Sequence, residues 1–497
     1  MNLKEKTLSG LKWSYIGILG QILLQLVVFS ILARLISPDD YGLVSISFMF
    51  INLVQLISQI GIGPALVQKR EINEKHISSA FIFSVFLGLI VYVLFFVSSS
   101  VIARFFNTLK LNKIIRIISF IFIIQSFYTI QLSLLQREIK FKQISIIKVM
   151  SYFLSYGLLG IILAFLKYGV WALVFASISQ RLFTLIFIIF IKPIRIKPLF
   201  YKKEFFELIN YGSGFTIGRL LNYIARNVDN FVVGKLLGTT ELGIYSRVYA
   251  IITLPATYFS SVIDKVLFPA MSQIQDNREK IKEIFLNGAE MMFFLGVVFA
   301  LFLNRFSNLI ILILLGKKWL AAVPVLKVFA FGIPFRTTYK LSDTLSRSLG
   351  TVYKRAWRQF IYALLVFLGA YIGCHFKLTI VAGLIVFALF IIYLLMLHLS
   401  KITIMLKMEE IIKIHLSSLY YFIFFIIVNM YFSYIIKYLK INKILKDIIL
   451  LVIMILFSLL FILIFNRIRR FAMINWFIKK IDNKYLNRFF SISTNRK

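Results

Sequence analysis

ARLISPDDYGLVS, residues Ala33–Ser45, returns as GKLLGTTELGIYS, residues Gly234–Ser246, at a constant offset of 201. Leu35 matches Leu236, Gly42 matches Gly243 and Ser45 matches Ser246, while basic Arg34 and acidic Asp40 meet Lys235 and Glu241. The register holds upstream, where Gly17 meets Gly218, Gln21 meets Asn222 and Gln25 meets Arg226. After a four-residue slip, Pro64, Ala65, Gln68, Glu74 and Lys75 meet Pro269, Ala270, Gln273, Glu279 and Lys280. A repeat of this length is how many membrane transporters are built.

The composition supports a membrane setting. Of 497 residues, 60% are hydrophobic and 15% charged, against about 25% charged in soluble domains, which excludes an ordinary soluble enzyme. Lys and Arg number 57 against 20 Asp and Glu. In a soluble chain that excess points to nucleic acid; in a membrane protein it points first to cytoplasmic loops, where basic residues are retained on insertion. The single cysteine, Cys374, forms no internal disulfide. The first apolar run starts about ten residues in and is too long for a cleaved signal, so it is expected to remain as an anchor.

About 20 apolar residues cross a bilayer. Twelve such runs are plain, near residues 11–33, 41–62, 77–102, 111–136, 144–166, 170–191, 242–267, 281–303, 356–374, 378–399, 411–436 and 444–465. Two more, 206–236 and 324–349, have the length but carry several charges each. Counting both as spans gives fourteen crossings and puts 32 of the 57 basic residues on the side of the N-terminus and 13 on the other. Omitting them puts the richest loops on inconsistent sides, so fourteen spans with both termini cytoplasmic is the expected topology.

The repeat offset covers six spans. An even number preserves orientation, so two pseudo-symmetric six-helix lobes are expected, related by an axis along the membrane normal with a cavity between them. The expected divisions are an N-lobe over 1–200, a C-lobe over 201–400, two further helices over 401–467 and a basic cytoplasmic tail over 468–497. The tail mixes basic residues with Phe471, Trp476 and Phe477, which suits a helix on an anionic surface or a frayed end equally.

Twelve basic residues remain inside spans. In span 7, Arg219, Asn222, Arg226 and Asp229 recur at spacings of 3, 4 and 3; in span 10, Arg336, Lys340, Asp343 and Arg347 recur at 4, 3 and 4. Each set forms one helical stripe. Five cations and two anions facing lipid would cost on the order of 20 kcal/mol, so the stripes are expected to line a water-filled cavity. One alternative is that Arg226 with Asp229 and Lys340 with Asp343 merely pair to hold helices together. The cationic surplus favours an anionic substrate, and arginine matches phosphate geometry.

The first lobe carries amides instead. Gln21 and Gln25 in span 1, Asn52, Gln55 and Gln59 in span 2, and Gln125 and Gln131 in span 4 suit either sugar hydroxyls or bonds between helices. Asp229 and Asp343 are the carboxylates available for coupling or charge pairing, each with cations close in sequence that make it a poor proton carrier. No metal-ligand spacing, phosphate loop or nucleophile motif occurs, so catalysis, a bound metal and ATP-driven transport by this chain are not expected.

The segments GLKWSYIGILGQILLQLVVFSILARLISPDDYGLVSISFMF, GIGPALVQKREINEKHISSAF, LLQREIKFK, NYIARNVDNFVVGKLLGTTELGIYSRVY and LLGKKWLAAVPVL resemble the Wzx-type polysaccharide flippases, in the colanic-acid exporter-like branch of the multidrug/oligosaccharidyl-lipid/polysaccharide superfamily. The resemblance runs from about Gly10 to Tyr353. It implies an all-α polytopic membrane protein of about fourteen helices that moves undecaprenyl-diphosphate-linked oligosaccharide across the bacterial plasma (inner) membrane by alternating access. It implies H+ or Na+ coupling in place of a bound cofactor, and membrane lipids, a polysaccharide polymerase and chain-length machinery as partners. By this resemblance Arg226 and Asp229 fall on a cavity-lining helix, whereas Arg336, Lys340 and Arg347 rest on helical spacing alone. A cation-coupled multidrug antiporter of the same superfamily is the competing expectation, and it calls for acidic residues where this chain has basic ones. A non-transporting scaffold needs no such charges.

Overall fold

The structure is a computed structural model. It describes residues 20–58, 62–69, 71–193, 199–439 and 441–469. Side chains of some further residues, including Asn222, Arg219 and Asp264, lie outside the description, as do Gln59 and the tail beyond Arg469.

The described residues are helical throughout. In order, the helices are α1 (Gly20–Leu35), α2 (Pro38–Ser58), α3 (Ile62–Gln68), α4 (Glu74–Phe105), α5 (Lys110–Ile118), α6 (Phe120–Ser126), α7 (Thr129–Arg137), α8 (Phe141–Tyr152), α9 (Ile161–Phe165), α10 (Val170–Ile191), α11 (Lys202–Leu236) and α12 (Thr239–Gln273). They continue as α13 (Arg278–Arg305), α14 (Ser307–Leu314), α15 (Ala322–Ala330), α16 (Ile333–Ser348), α17 (Val352–Cys374), α18 (Leu378–Ile404), α19 (Met408–Lys437) and α20 (Lys443–Arg469). A π-helical stretch, Phe153–Gly160, joins α8 to α9.

Eight of these are long and apolar enough to cross a membrane, and nine if the α5–α6 segment and α7, bent by 45° to each other, form one span. The 32 residues of α4 extend about 48 Å, more than the hydrocarbon needs. One side of α4, with Phe86, Leu89, Val93, Val97 and Val101, is exposed and purely apolar, as a face bathed in lipid must be. The protein is a multi-pass membrane protein. The other five expected spans coincide with α1, α2, α11, α12 and α15–α16, the helices that hold most of the polar residues singled out above, and the fold is consistent with fourteen crossings.

Charged ends show how α11 runs. Near its start Glu207 accepts hydrogen bonds from Lys69 and His76, and near its end the Lys235 ammonium donates to the Phe105 carbonyl. The first contact joins loops placed by charge on one side of the membrane; the second joins loops placed on the other. More of the Lys-rich loops gather at the Glu207 end: Glu138 binds Lys140 at 2.6 Å and Lys192 at 2.5 Å, and Ser78 donates to the Leu199 carbonyl at 2.8 Å. Burial pushes the Glu138 carboxyl up, but bonds and charge from Lys140 and Lys192 outweigh it and hold it below its ordinary value.

Packing divides the chain into two compact units, residues 1–246 with 312–320, and 247–311 with 321–497. In the first, Ile62, Leu66, Ala80, Leu134 and Leu208 form one buried cluster and Leu135, Ile144, Ile147 and Ile188 another. In the second, Met271, Phe285, Met292, Leu341, Ile392 and Met396 form a core around α16. A Cβ on Gly296 would come within 2.4 Å of the Pro334 Cα, so glycine lets α13 lie directly on the start of α16, as small residues do between membrane helices. The last two helices are fastened to α13: Arg305 donates to Asn429 Oδ1 at 2.8 Å and stands 3.7 Å from Asp447. In the first turn of α19, hydrogen bonds from Lys282 and the Lys407 amide hold the Glu410 carboxyl below its ordinary value.

Candidate functional site

Helix α16 carries the charged stripe of the second unit. Pro334 sits in its first turn, where a missing N–H costs nothing. Its many hydroxyls bond back within the helix: Thr338 to the Pro334 carbonyl at 2.8 Å, Thr344 to Lys340 at 3.1 Å and Ser346 to Ser342 at 2.9 Å. These bonds satisfy most of the hydroxyls of a helix this polar, and the buried Ser342 hydroxyl and the Arg336 Nε keep bonding capacity among the described residues.

Asp343, 7% exposed, is held on both oxygens. Arg355 of α17 donates to Oδ1 at 2.5 Å, and Arg347 Nε lies 3.3 Å from Oδ2. Arg347 also donates to Thr344 Oγ1 at 3.1 Å and lies 5.5 Å from the Phe268 ring. The pairing of Asp343 with Lys340 is not formed; Lys340 rests 5.2 Å from the ring of Tyr339 and has no carboxylate partner among the described residues. Arg336 lies over the Tyr249 ring at 4.7 Å and donates to its hydroxyl at 2.8 Å. Its buried Nε has no hydrogen-bond partner among the described residues.

In the first unit, α11 separates two residues that spacing alone put on one stripe. Asp229 is 1% exposed and accepts from the Tyr245 hydroxyl at 2.6 Å and the Asn230 amide at 2.8 Å. Arg226 is exposed and makes no ion pair among the described residues, so the pairing of Arg226 with Asp229 is absent as well. Arg219 and Asn222 lie on the same helix, their side chains outside the described residues.

Among the amides, Gln25 and Asn52 are exposed and Gln21 and Gln55 half-buried. Gln55 shares a small pocket with Ser84, Gln125, Ser126 and Thr129, closed by apolar Ile62, Phe122 and Ile130, which brings spans 2, 3 and 4 together; Gln21, Gln25 and Asn52 do not line it. Gln59 is outside the described residues. Sequence reasoning missed Tyr249 and Arg355. Arg355 follows Asp343 across a helix break at Gly350, whose φ is +73°, and helical spacing carries no signal across such a break. No group of His, Cys, Asp and Glu able to hold a metal occurs among the described residues.

The teichuronic acid biosynthesis protein TuaB of Bacillus subtilis is 26% identical over 333 residues, 66% of this chain and 68% of that protein. The lipopolysaccharide biosynthesis protein WzxC of Escherichia coli is 26% identical over 329 residues, 66% of this chain and 67% of that one. Among solved structures, the lipid II flippase MurJ in an inward closed conformation superposes with a TM-score of 0.73 at 18% identity, over 91% of this chain and 98% of that one, which shows a shared fold. The polysaccharide biosynthesis protein family matches residues 31–324, well over half of the chain, and the chain belongs to that family.

Proposed function

We propose that this protein is a flippase, moving undecaprenyl-diphosphate-linked oligosaccharide repeat units from the cytoplasmic to the outer leaflet for assembly of a surface polysaccharide. The observation that carries this reading is on α16. Its one carboxylate is already bound by Arg347 and Arg355, while Arg336 and Lys340 rest on aromatic rings with no carboxylate partner among the described residues. Cations that find no counter-charge among the described residues of a membrane helix are expensive there and suit an anion; a diphosphate supplies two or more charges and the acceptor geometry that guanidinium matches.

In this reading Arg336 and Lys340 engage the diphosphate, with Arg219, Asn222, Arg226 and Arg347 adding to the cationic surface. Gln21, Gln25, Asn52 and Gln55 meet sugar hydroxyls, and two lobes alternate access. The names of TuaB and WzxC support the polysaccharide context, and the MurJ-like fold supports lipid-linked cargo. A drug antiporter needs a carboxylate left open to an organic cation, whereas Asp229 and Asp343 are both engaged. The protein then acts as a translocase without a catalytic residue, in the bacterial plasma membrane with both termini cytoplasmic. An H+ or Na+ gradient drives it, beside the polymerase and chain-length machinery.

The test is transport by the purified protein in vesicles. Arg336→Ala and Lys340→Ala should each reduce flipping of a defined undecaprenyl-diphosphate oligosaccharide at unchanged protein abundance, and an imposed ion gradient should change the wild-type rate.

A further inference from the structure

The fourth span of the first unit is broken. Helix α6 ends at Ser126 and α7 starts at Thr129, with a bend of 45° between the α5–α6 segment and α7. Against this break lies the cavity that Gln55 shares with Ser84, Gln125, Ser126 and Thr129. Ser84 stands ten residues into α4, about 15 Å along it, so the cavity lies at membrane depth and not among the loops.

Its size excludes a sugar ring. The volume is about 30 Å³, room for roughly one or two water-sized occupants. Two glycines on its wall keep it tight. A Cβ on Gly88 would come within 2.7 Å of the Ser126 Cβ, and one on Gly63 within 2.8 Å of Ser133 Oγ, so α3 and α4 both press on span 4 there.

The lining is dominated by acceptors. Each hydroxyl has a single proton, and all three are committed elsewhere: Ser84 donates to the Ser126 carbonyl at 3.2 Å, Ser126 to the Ile123 carbonyl at 2.7 Å and Thr129 to the Gln125 carbonyl at 2.9 Å. Towards the cavity these oxygens can therefore only accept. Gln125 Oε1 is buried and has no hydrogen-bond partner among the described residues. Among the lining side chains only the two amides have protons to offer, and none is a cation. The C-terminal end of α6, where a helix gathers partial negative charge, adds to the same sign.

A cation satisfies several such oxygens at once. No carboxylate lines the cavity, so a divalent ion would keep its charge uncompensated inside the membrane. Neutral oxygens at the broken end of a membrane helix suit a hard monovalent cation. We infer that the cavity at the break in span 4 binds one Na+, held by Gln125 Oε1 and the hydroxyl oxygens of Ser84, Ser126 and Thr129. The ion's role in transport rests on the coupling proposed above; its binding is a property of the cavity alone. One ion in this place joins α4, α6 and α7, so the bend in span 4 is the part of the first unit that it steadies.

Melting of the purified full chain, compared in sodium chloride and choline chloride at equal ionic strength, tests the site. Sodium should raise the wild-type midpoint saturably, by about 1–3 °C. Gln125→Leu and Thr129→Val should lose that rise, and Thr129→Ser should keep it because it keeps the hydroxyl. A cavity that holds only water gives equal wild-type midpoints in the two salts and overturns the site. A sodium rise that survives in both Gln125→Leu and Thr129→Val overturns it as well. Melting in choline chloride reports whether each variant folds, and Ser84→Ala, which removes one hydroxyl, takes the place of any that does not. In vesicles an imposed Na+ gradient should change wild-type flipping of undecaprenyl-diphosphate oligosaccharide and leave Thr129→Val unaffected. A gradient without effect on wild type overturns the coupling role, and the melting result still decides the site. If wild type moves this cargo in neither salt, the function reading fails by itself.

Discussion

The Ser45 and Ser246 hydroxyls stand 3.1 Å apart, so two positions that the repeat makes equivalent are also neighbours. Equivalence requires only that the two residues occupy matching places in two copies. Contact places them where the copies meet, and it explains why glycine recurs at 42 and 243.

Gly42→Ala and Gly243→Ala should each lower stability by about 1–3 kcal/mol, since the added carbon would run into the Thr239 carbonyl or the Pro38 carbonyl and overpacking against backbone has no cheap relief. The double variant should lose less than the sum, because one displacement of α2 from α12 relieves both clashes. Gly20→Ala is the control, having nothing within 4 Å of its added carbon. Thermal unfolding of the solubilised protein measures all four; an unshifted Gly42→Ala contradicts the close approach.

Asp343→Ala leaves Arg347 and Arg355 without their shared carboxylate. Both arginine side chains reach solvent, at 33% and 23% exposure, so the loss should be about 1–3 kcal/mol rather than the about 3–5 of a fully buried broken pair. Arg355→Lys, with Asp343 in place, should weaken the bond in the same direction but by less, because an ammonium does not reproduce the geometry of the Nε donor. Denaturant unfolding of both variants checks the order.

The helical phase of Arg336, Lys340, Asp343 and Arg347 is legible in the sequence, and so is the polarity that sets α11 and α16 apart from lipid-facing spans. Their partners are not. Tyr245 lies 16 residues beyond Asp229 on the following helix, and Tyr249 reaches Arg336 from α12, so neither contact has a period to betray it. Spacing alone offered Arg226 for Asp229 and Lys340 for Asp343; a tyrosine hydroxyl took the first carboxylate and two arginines the second. α11 is not among the helices that are apolar enough to cross a membrane by composition, yet its two ends meet loops that the count of basic residues assigns to opposite sides.

Acid should weaken the protein through Glu138 and Glu410. Both carboxyls sit below their ordinary value when folded. Their contribution is therefore complete above the ordinary carboxylate range, about pH 4.3, and is lost as pH falls through the lowered folded values. Replacing both with Gln should flatten the decline in melting temperature below about pH 4.5 and leave the neutral plateau's shape unchanged. An identical acid limb in the double variant contradicts this assignment.

Tyr249→Phe keeps the ring under Arg336 and removes the hydroxyl that accepts its bond. Loss of one such bond, about 0.5–1.5 kcal/mol, should change flipping by a factor of about 2–10. Arg336→Ala removes a charged donor to the diphosphate, about 1.5–3 kcal/mol, and should cost a factor of about 10–150. A Tyr249→Phe defect as large as that of Arg336→Ala points to a structural role for the pair.

In the proposed function Arg336 and Lys340, which have no carboxylate partner among the described residues, act on a lipid-linked diphosphate. This action is tested most directly by the initial rate of undecaprenyl-diphosphate oligosaccharide flipping in vesicles holding equal amounts of wild type or the Arg336→Ala/Lys340→Ala double variant, with a neutral-headgroup lipid oligosaccharide as the comparison cargo. Wild type should flip the diphosphate cargo rapidly, the double variant should lose this activity almost completely, and neither protein should move much of the neutral cargo. Equal rates for wild type and double variant on the diphosphate cargo contradict it.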